Sequence, residues 1–303
     1  MKLVECVPNF SEGKRPEVVD EIVGAMTAVG GVSLLDKEMD ADHNRAVVTI
    51  IGEPEAVLEG AFRGIEKARE LIDLTKHKGE HPRMGAADVC PFVPVKDVGM
   101  DECVELAEKL GKRVGEELDI PVYLYEEAAT RPERQNLAKV RKGQFEGLSE
   151  EIGTNPEKEP DFGPNRIHPT AGAIAIGARQ FLVAYNINLG TDDLSIAKTI
   201  AKSIRHSGGG LRHVKAMGFE IKDRGIVQVS INMVNFHGTP LFRVFEMVKS
   251  EAARYGVPVI GSEIVGLVPA EALVDCAEFY LRLEAFKRDQ ILENRLVESE
   301  GTE

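Results

Sequence analysis

The sequence predicts an α+β fold in which the two halves of the chain repeat one order of secondary structure. Apolar strand-like runs alternate with amphipathic helical segments, and the order strand–helix–strand–strand–helix–strand occurs twice. No Gly-x-Gly-x-x-Gly turn follows a strand and no Gly-x4-Gly-Lys-Ser/Thr run occurs, which argues against a nucleotide-binding parallel sheet. At 303 residues the chain is long enough for two domains of about 150 residues each.

The first half starts with an apolar strand, and proline or acidic residues mark the first turns of its helices. Its predicted strands lie at residues 3–7, 32–35, 46–51, 89–95 and 122–125, with helices at residues 16–29, 53–72 and 100–118. Residues 126–164 are rich in charge, glycine and proline and lack apolar periodicity. We therefore predict an irregular connection between the halves, with one short helix near residues 135–140.

The second half repeats this order. Its predicted strands lie at residues 181–187, 214–221, 226–231 and 257–260, with helices at residues 192–207 and 240–255 and a charged helix from residue 281 onward. Such an order predicts an antiparallel sheet with its helices on one face, which is the ferredoxin-like arrangement. We predict two subdomains of this kind related by duplication, at residues 1–177, which include the connection, and at residues 178–303.

Charge and composition argue against several classes of binding partner. The formal net charge of −13 disfavours polyanions, so neither nucleic acid nor a membrane surface is an expected partner. No apolar run approaches the roughly 18 residues of a membrane span, and Glu5 interrupts the first apolar run, so we expect no signal peptide and a cytoplasmic location. The four cysteines contain no Cys-x-x-Cys pair and are predicted to be reduced core residues: Cys6, Cys90, Cys103 and Cys276.

The densest cluster of positive charge is Lys76-His77-Lys78-Gly79-Glu80-His81-Pro82-Arg83. Gly79 and Pro82 break a helix, so this segment is predicted to be a loop. It is either an anion-binding loop with a histidine that titrates near neutral pH or an ordinary solvated basic turn. His77 and His81 are four residues apart, but zinc binding at that spacing requires a helix, so we predict no metal.

Three other features are candidates for ligand contact. Residues 161–173 contain prolines and glycines that fix an irregular backbone, which either binds a flat heterocycle or is a plain crossover. Asn186 and Asn188 lie two residues apart on one face of a strand, and their amides need partners from a ligand or a neighbouring turn. Arg45 precedes a strand and is either a carboxylate-binding residue or a surface arginine.

These segments resemble the glutamate formiminotransferase family, which includes the N-terminal half of formiminotransferase-cyclodeaminase. The matching pieces run in family order along nearly the whole chain, at residues 4–13, 78–85, 88–92, 121–125, 161–164, 186–189 and 265–269. The resemblance implies a homodimer in which folate binds between two subdomains, with tetrahydrofolate as co-substrate. It also implies transfer of the formimino group from N-formiminoglutamate to N5 of tetrahydrofolate.

The resemblance assigns roles to individual residues. The catalytic histidine falls on His81, and the folate contacts fall on Gly163, Pro164, Asn165, Arg166, Ile167, His168, Pro169, Thr170, Ala171, Gly172, Asn186 and Asn188. Vertebrate members carry Trp where this chain has Ala171, and their active-site Asp falls on Glu38, which Asp36 and Asp40 flank. Substrate-binding residues are expected at Asn9, Glu38, Arg45, Lys78 and Arg83. Because the chain ends at Glu303, the expected partner for ammonia release is a separate cyclodeaminase.

One histidine satisfies the chemistry that the resemblance implies. N5 attacks the formimino carbon and loses a proton, the leaving glutamate nitrogen gains one, and an imidazole with a pKa near roughly 6.5 can do both. The carboxylate that orients His81 is one of Glu80, Glu38, Asp36 and Asp40. Two alternatives stay open: formyl transfer between N-formylglutamate and folate, and a folate-binding dimer that has lost catalysis.

Overall fold

The computed structural model describes residues 1–79 and 81–300 of the chain, and side chains as far as residue 296. It is a mixed α/β structure with two sheets, in agreement with the predicted α+β class. The chain divides into two compact units, Met1–Gln180 and Phe181–Glu303. No helix in the described parts of the chain has both the length and the apolar character that crossing a membrane requires.

The described residues of the first unit form seven strands and five α-helices. The strands are β1 (Leu3–Cys6), β2 (Asn9–Phe10), β3 (Val32–Asp40), β4 (Arg45–Gly52), β5 (Ala87–Lys96), β6 (Val122–Glu126) and β7 (Ile174–Ala178). The helices are α1 (Pro16–Thr27), α2 (Pro54–Leu71), α3 (Met100–Leu118), α4 (Leu137–Val140) and α5 (Gln144–Glu151). Both β1 and β2 pair with β4 and β5, so together they occupy one position in the sheet.

The sheet of the first unit continues from β3 through β4, the β1–β2 position, β5 and β7 to β6. The pairs β5–β7 and β7–β6 are parallel, whereas the other pairs are antiparallel. The prediction of a wholly antiparallel sheet was therefore wrong for this unit. The physical reason is that α3 and the connection after β6 are long crossovers, which allow neighbouring strands to run in the same direction.

The predicted connection between the halves belongs to the first unit, because its helices α4 and α5 cover one face of the sheet. Alternate residues of β6 face opposite sides. Val122 and Leu124 join the main core with α1, α2 and α3, whereas Tyr123 and Tyr125 join a smaller apolar cluster with residues of α4 and α5. The sequence analysis counted residues 126–164 with the first subdomain and predicted one short helix there, whereas the segment contains both α4 and α5.

A buried ion pair fixes this connection to β6. The side chains of Arg134 and Asp161 are both buried and contact each other, and Asp161 Oδ2 also accepts a hydrogen bond of 2.8 Å from the Leu124 amide. The Thr130 hydroxyl donates to the other carboxylate oxygen of Asp161. Because a buried charge is tolerated only when it is paired, this cluster holds both ends of the connection in one place.

The described residues of the second unit form one antiparallel sheet of four strands in the order β11-β8-β10-β9. The strands are β8 (Val183–Leu189), β9 (Val214–Ile221), β10 (Ile226–Met233) and β11 (Val259–Val265). The helices are α6 (Leu194–Ile204), α7 (Leu241–Ala253), α8 (Ala270–Leu281) and α9 (Leu292–Glu300). The sequence predicted no helix at α8, where only Ala272 is buried and the apolar periodicity is correspondingly weak.

Candidate active site

The basic loop between α2 and β5 lies against the hairpin that β3 and β4 form. Asn44, which ends the hairpin turn, donates from Nδ2 to the Lys78 carbonyl at 3.1 Å, and the His81 amide donates to the His43 carbonyl at 3.4 Å. A Cβ atom on Gly79 would overlap the backbone of His43, so this close approach requires glycine. The segment is a loop, as its glycine and proline predict.

His81 is a largely buried imidazole with an unpartnered ring nitrogen. Its side chain is 11% exposed, and Nε2 is buried without a hydrogen-bond partner among the described residues. Burial lowers the pKa of His81 below its usual value, and the charges of Arg141 and Arg45 lower it further against the opposing effect of Asp88. The surroundings of His81 therefore favour the neutral imidazole, with Nε2 on the side of the ring that faces Asp88.

Asp88, the second residue of β5, is the carboxylate nearest to His81 in the described chain. Its Oδ2 lies 3.7 Å from His81 Nε2, which is longer than a hydrogen bond. The side chain is 1% exposed, accepts from the Met84 amide at 2.7 Å and contacts the Arg141 guanidinium. Burial acts to raise the pKa of Asp88, but Arg141, His81 and the Met84 amide hold it below the usual range, so the carboxyl stays ionised.

Three of the carboxylates that the sequence offered for orienting His81, Asp36, Glu38 and Asp40, form no ion pair or hydrogen bond with its ring. Asp40 instead accepts from the His43 amide at 2.9 Å and pairs with the His43 imidazole at 2.7 Å. Asp36 accepts from the next amide in the chain at 2.9 Å, while Glu38 lies on β3 without a hydrogen bond to any described residue and interacts electrostatically with Arg45. Glu80 lies outside the described residues.

Two arginines extend the positive charge around His81. Arg45 opens β4, and Arg141 follows α4 directly. Each has a buried Nε with no hydrogen-bond partner among the described residues. Burial lowers the pKa of Arg45, and the neighbouring charge of Arg141 acts in the same direction, while Asp40, Glu38 and Asp88 oppose it. The sequence analysis missed Arg141 because this residue lies in a segment without apolar periodicity.

Arg83 binds other groups of the protein. Its guanidinium donates to both carboxylate oxygens of Glu146 in α5, at 2.8 and 2.7 Å, and its Nε donates to His77 Nδ1 at 3.2 Å. His77 therefore carries its proton on Nε2, which donates to the Asn44 carbonyl at 2.9 Å. This chain of contacts ties α5 to the hairpin through the basic loop. The Lys78 side chain, in contrast, is exposed.

Comparison with known proteins identifies the family. A profile described as formiminotransferase domain, N-terminal subdomain, matches residues 3–179, and a second, described as formiminotransferase domain, matches residues 184–298. The chain belongs to the formiminotransferase family. It is 56% identical to a glutamate formimidoyltransferase of Streptococcus pyogenes serotype M1, over 98% of this chain and 99% of that protein. The resemblance inferred from the sequence is thereby confirmed.

Two further relatives extend the comparison. A glutamate formimidoyltransferase of Thermoplasma acidophilum is 52% identical, and the match covers 100% of both chains. A formimidoyltransferase-cyclodeaminase of Mus musculus is 46% identical over 97% of this formiminotransferase chain and 56% of the mouse protein. This formiminotransferase therefore matches two relatives along their whole length and the mouse protein along about half of its length.

The segment predicted to contact folate in this formiminotransferase, residues 163–172, precedes β7. Its exposed residues are Gly163, Asn165, Arg166 and Pro169, its half-buried residues are Pro164, Ile167 and Thr170, and its buried residues are His168, Ala171 and Gly172. His168 Nδ1 accepts from the amides of Thr170 and Ala171 at 3.3 and 3.0 Å. The Ala171 methyl group lies in the main core, so a ligand at this residue meets backbone only.

Asn186 and Asn188 lie on β8 and have partners on both neighbouring strands. Gln228 Nε2 on β10 donates to Asn188 Oδ1 at 2.9 Å and to Glu263 Oε1 at 2.9 Å. Asn186 Nδ2 donates to the same oxygen of Glu263, on β11, at 3.2 Å. Each amide therefore has one side-chain partner on a neighbouring strand of the sheet, a source of partners that the sequence alone did not indicate because strand register is not visible there.

Two remaining predictions concern Asn9 and metals. Asn9 lies in β2, where its Nδ2 donates to the Val7 carbonyl at 3.2 Å. Within residues 1–79 and 81–300, no group of three or more His, Cys, Asp or Glu side chains is arranged to hold a metal ion.

Proposed function

We propose that this chain transfers the formimino group of N-formiminoglutamate to N5 of tetrahydrofolate, which yields glutamate and 5-formiminotetrahydrofolate. Relatives named glutamate formimidoyltransferase match it along the whole chain at 56% and 52% identity. The structural observation that carries the proposal is His81, whose Nε2 is buried, unpartnered and 3.7 Å from an ionised Asp88. A neutral imidazole in that setting is ready to accept a proton.

We propose that His81 moves one proton during the transfer. N5 of tetrahydrofolate attacks the formimino carbon and forms a tetrahedral intermediate. The imidazole takes the proton that N5 loses and then protonates the glutamate nitrogen, whose bond to the carbon breaks. Asp88 stabilises the imidazolium that exists between these two events, as a carboxylate beside a catalytic histidine does in other enzymes.

The substrate contacts in this proposal follow the sequence prediction. Arg45, Lys78, Glu38 and Asn9 bind the formimino donor, while the exposed part of residues 163–172 and the asparagines on β8 contact folate. Arg83 contributes indirectly, because its guanidinium is bound to Glu146. Arg45 is supported by its buried, unpartnered Nε, and Lys78 by its exposed side chain in the same loop as His81.

We further propose that the two units are ferredoxin-like subdomains related by duplication, with the division after residue 177. Each contains the order strand–helix–strand–strand–helix–strand, and each sheet places the fourth strand beside the first, the first beside the third and the third beside the second. We propose a cytoplasmic homodimer that uses tetrahydrofolate without a metal and supplies a separate cyclodeaminase. These proposals follow from the resemblance to the family.

The direct test is turnover of N-formiminoglutamate with tetrahydrofolate, followed by the absorbance of the folate product. We expect His81→Ala to lower kcat about 100- to 10,000-fold, the range of general acid–base catalysis, with KM values changed less than about threefold. His206→Ala, an exposed histidine of the second unit, is the matched control and should keep full activity. Rates in His81→Ala equal to those of the control would remove His81 from the mechanism.

N-formylglutamate serves as the second donor in the same assay. Turnover of this compound in place of N-formiminoglutamate would support formyl transfer. Tight folate binding without turnover of either donor would support the non-catalytic dimer.

A further inference from the structure

Arg141 and Arg45 lie close enough to His81 to lower its pKa, and each carries a hydrogen-bond donor that the described protein groups do not engage. The Nε atoms of both arginines are buried without a hydrogen-bond acceptor among the described residues. A buried N–H group without an acceptor destabilises the folded protein, so two such groups beside Asp88 indicate that an anion supplies acceptors when the site is filled.

The carboxylates nearby, Asp88, Asp40 and Glu38, accept no hydrogen bond from either Nε atom. Asp88 contacts Arg141 through Oδ2 and the Met84 amide through Oδ1. Asp40 is bound by the imidazole and the amide of His43. Arg141 uses Nη2 for Asp88, and its Nε remains without an acceptor, so the guanidinium can hold Asp88 and a second carboxylate at the same time.

We propose that Arg141, together with Arg45, binds the α-carboxylate of the formimino donor beside His81 and thereby selects donors that carry this group. The inference rests on the proposed function. It favours the α-carboxylate because this group and the nitrogen that His81 protonates are attached to the same carbon atom. When the imidazole of His81 reaches that nitrogen, the α-carboxylate lies in the immediate neighbourhood, whereas the side-chain carboxylate is several bonds away.

The test compares two donors that differ only in this carboxylate, N-formiminoglutamate and N-formimino-4-aminobutyrate. We expect the wild-type protein to prefer the first donor in kcat/KM by about 100-fold or more. Arg141→Gln and Arg45→Gln should each lose about 10- to 100-fold in kcat/KM with N-formiminoglutamate and little with the donor that lacks the α-carboxylate, so the preference for N-formiminoglutamate should largely disappear. Arg141→Lys keeps the positive charge but loses the planar guanidinium group, so its preference should lie between those of the wild-type protein and Arg141→Gln.

Two controls separate this role from a structural one. Lys139→Gln removes an equal charge from an exposed side chain of α4, and it should keep the wild-type preference. Arg45 has no hydrogen bond to Asp88, so Arg45→Gln tests the subsite even if Arg141→Gln disturbs the buried pair. The inference is overturned if both variants keep the wild-type preference, which includes the case in which each loses the same factor with both donors.

Binding of the product keeps the test independent of turnover. Calorimetry should show wild-type protein binding L-glutamate at least about tenfold more tightly than 4-aminobutyrate, and both glutamine variants should lose this difference. If the wild-type protein turns over neither donor, the proposed function fails, and the calorimetric comparison alone decides the subsite. Equal binding of the two compounds by the wild-type protein contradicts the inference.

Discussion

Asp88→Asn is the substitution that most directly tests how the protein supports His81. Asparagine keeps the shape of the side chain and an oxygen for the Met84 amide, which Asp88 accepts at 2.7 Å. It removes the negative charge 3.7 Å from His81 Nε2 and leaves Arg141 without its carboxylate partner. The variant therefore changes the electrostatics of the imidazole and alters its packing little.

The size of the effect follows from the separation of the charges. Two unit charges about 4 Å apart interact by ~4 kcal/mol at an effective dielectric constant of about 20. Arg141 contacts the same carboxylate oxygen and neutralises part of its field, so we take about half of this value, ~2 kcal/mol, for stabilisation of the imidazolium. That amount corresponds to a roughly 30-fold decrease in kcat.

The assay measures kcat at saturating concentrations of both substrates, together with urea unfolding to account for lost stability. Breaking a buried ion pair destabilises a protein by about 3–5 kcal/mol, so the comparison needs a variant with the same structural defect. Asp161→Asn breaks the buried pair with Arg134 in the same unit, and its kcat per folded molecule should stay near wild type. A kcat of Asp88→Asn within twofold of that control would refute the role of Asp88.

Two further predictions test the surroundings of His81. Glu146→Gln weakens the contact of α5 with Arg83, and because the Glu146 side chain is 63% exposed we expect the free energy of unfolding to fall by only about 1 kcal/mol in urea titrations. A loss of several kcal/mol would show that this pair is not solvent-screened. The rate should rise with pH through a pKa of His81 below roughly 6.5, since the neutral imidazole is required. Arg45→Gln should move this rising part of the pH–rate profile to higher pH, because Arg45 lowers the pKa of His81. Asp88→Asn should move it to lower pH, because Asp88 raises that pKa. If the rising part of the profile stays at the wild-type pH in both variants, Arg45 and Asp88 do not set the pKa of His81.

The sequence predicted best the elements whose periodicity is long and unbroken. The predicted helix at residues 100–118 coincides with α3, and the predicted strand at residues 214–221 coincides with β9. In contrast, α4 and α5 are short and bury few residues, so their pattern is too weak to distinguish a structured connection from a linker. The sequence also did not predict that β7 pairs in parallel with β5 and β6, because strand pairing depends on residues that are far apart in the chain.

In the active site, too, features set by neighbouring residues were predicted, whereas contacts between distant residues were not. Gly79, Pro82 and the local charges predicted the loop around His81, since all of these features lie within a few residues. Asp88 and Arg141, which are 53 positions apart, meet only in the folded chain. A single acidic residue in an apolar strand and a single basic residue in a polar segment carry no pattern of their own. The family resemblance predicted His81 and Arg45 but neither Asp88 nor Arg141, the other charged groups that set the pKa of His81.

The electrostatic state of the site should change when the donor binds. In the free protein burial, together with the charges of Arg141 and Arg45, holds the pKa of His81 down, which favours the imidazole as a base. A donor carboxylate on these arginines would neutralise them and raise the pKa of His81, so that the imidazole can keep the proton until the glutamate nitrogen receives it. The apparent pKa in the profile of kcat should therefore lie above that in the profile of kcat/KM, because the first reports the complex and the second the free protein. Equal values in the two profiles would mean that no anion of the donor reaches Arg141 and Arg45.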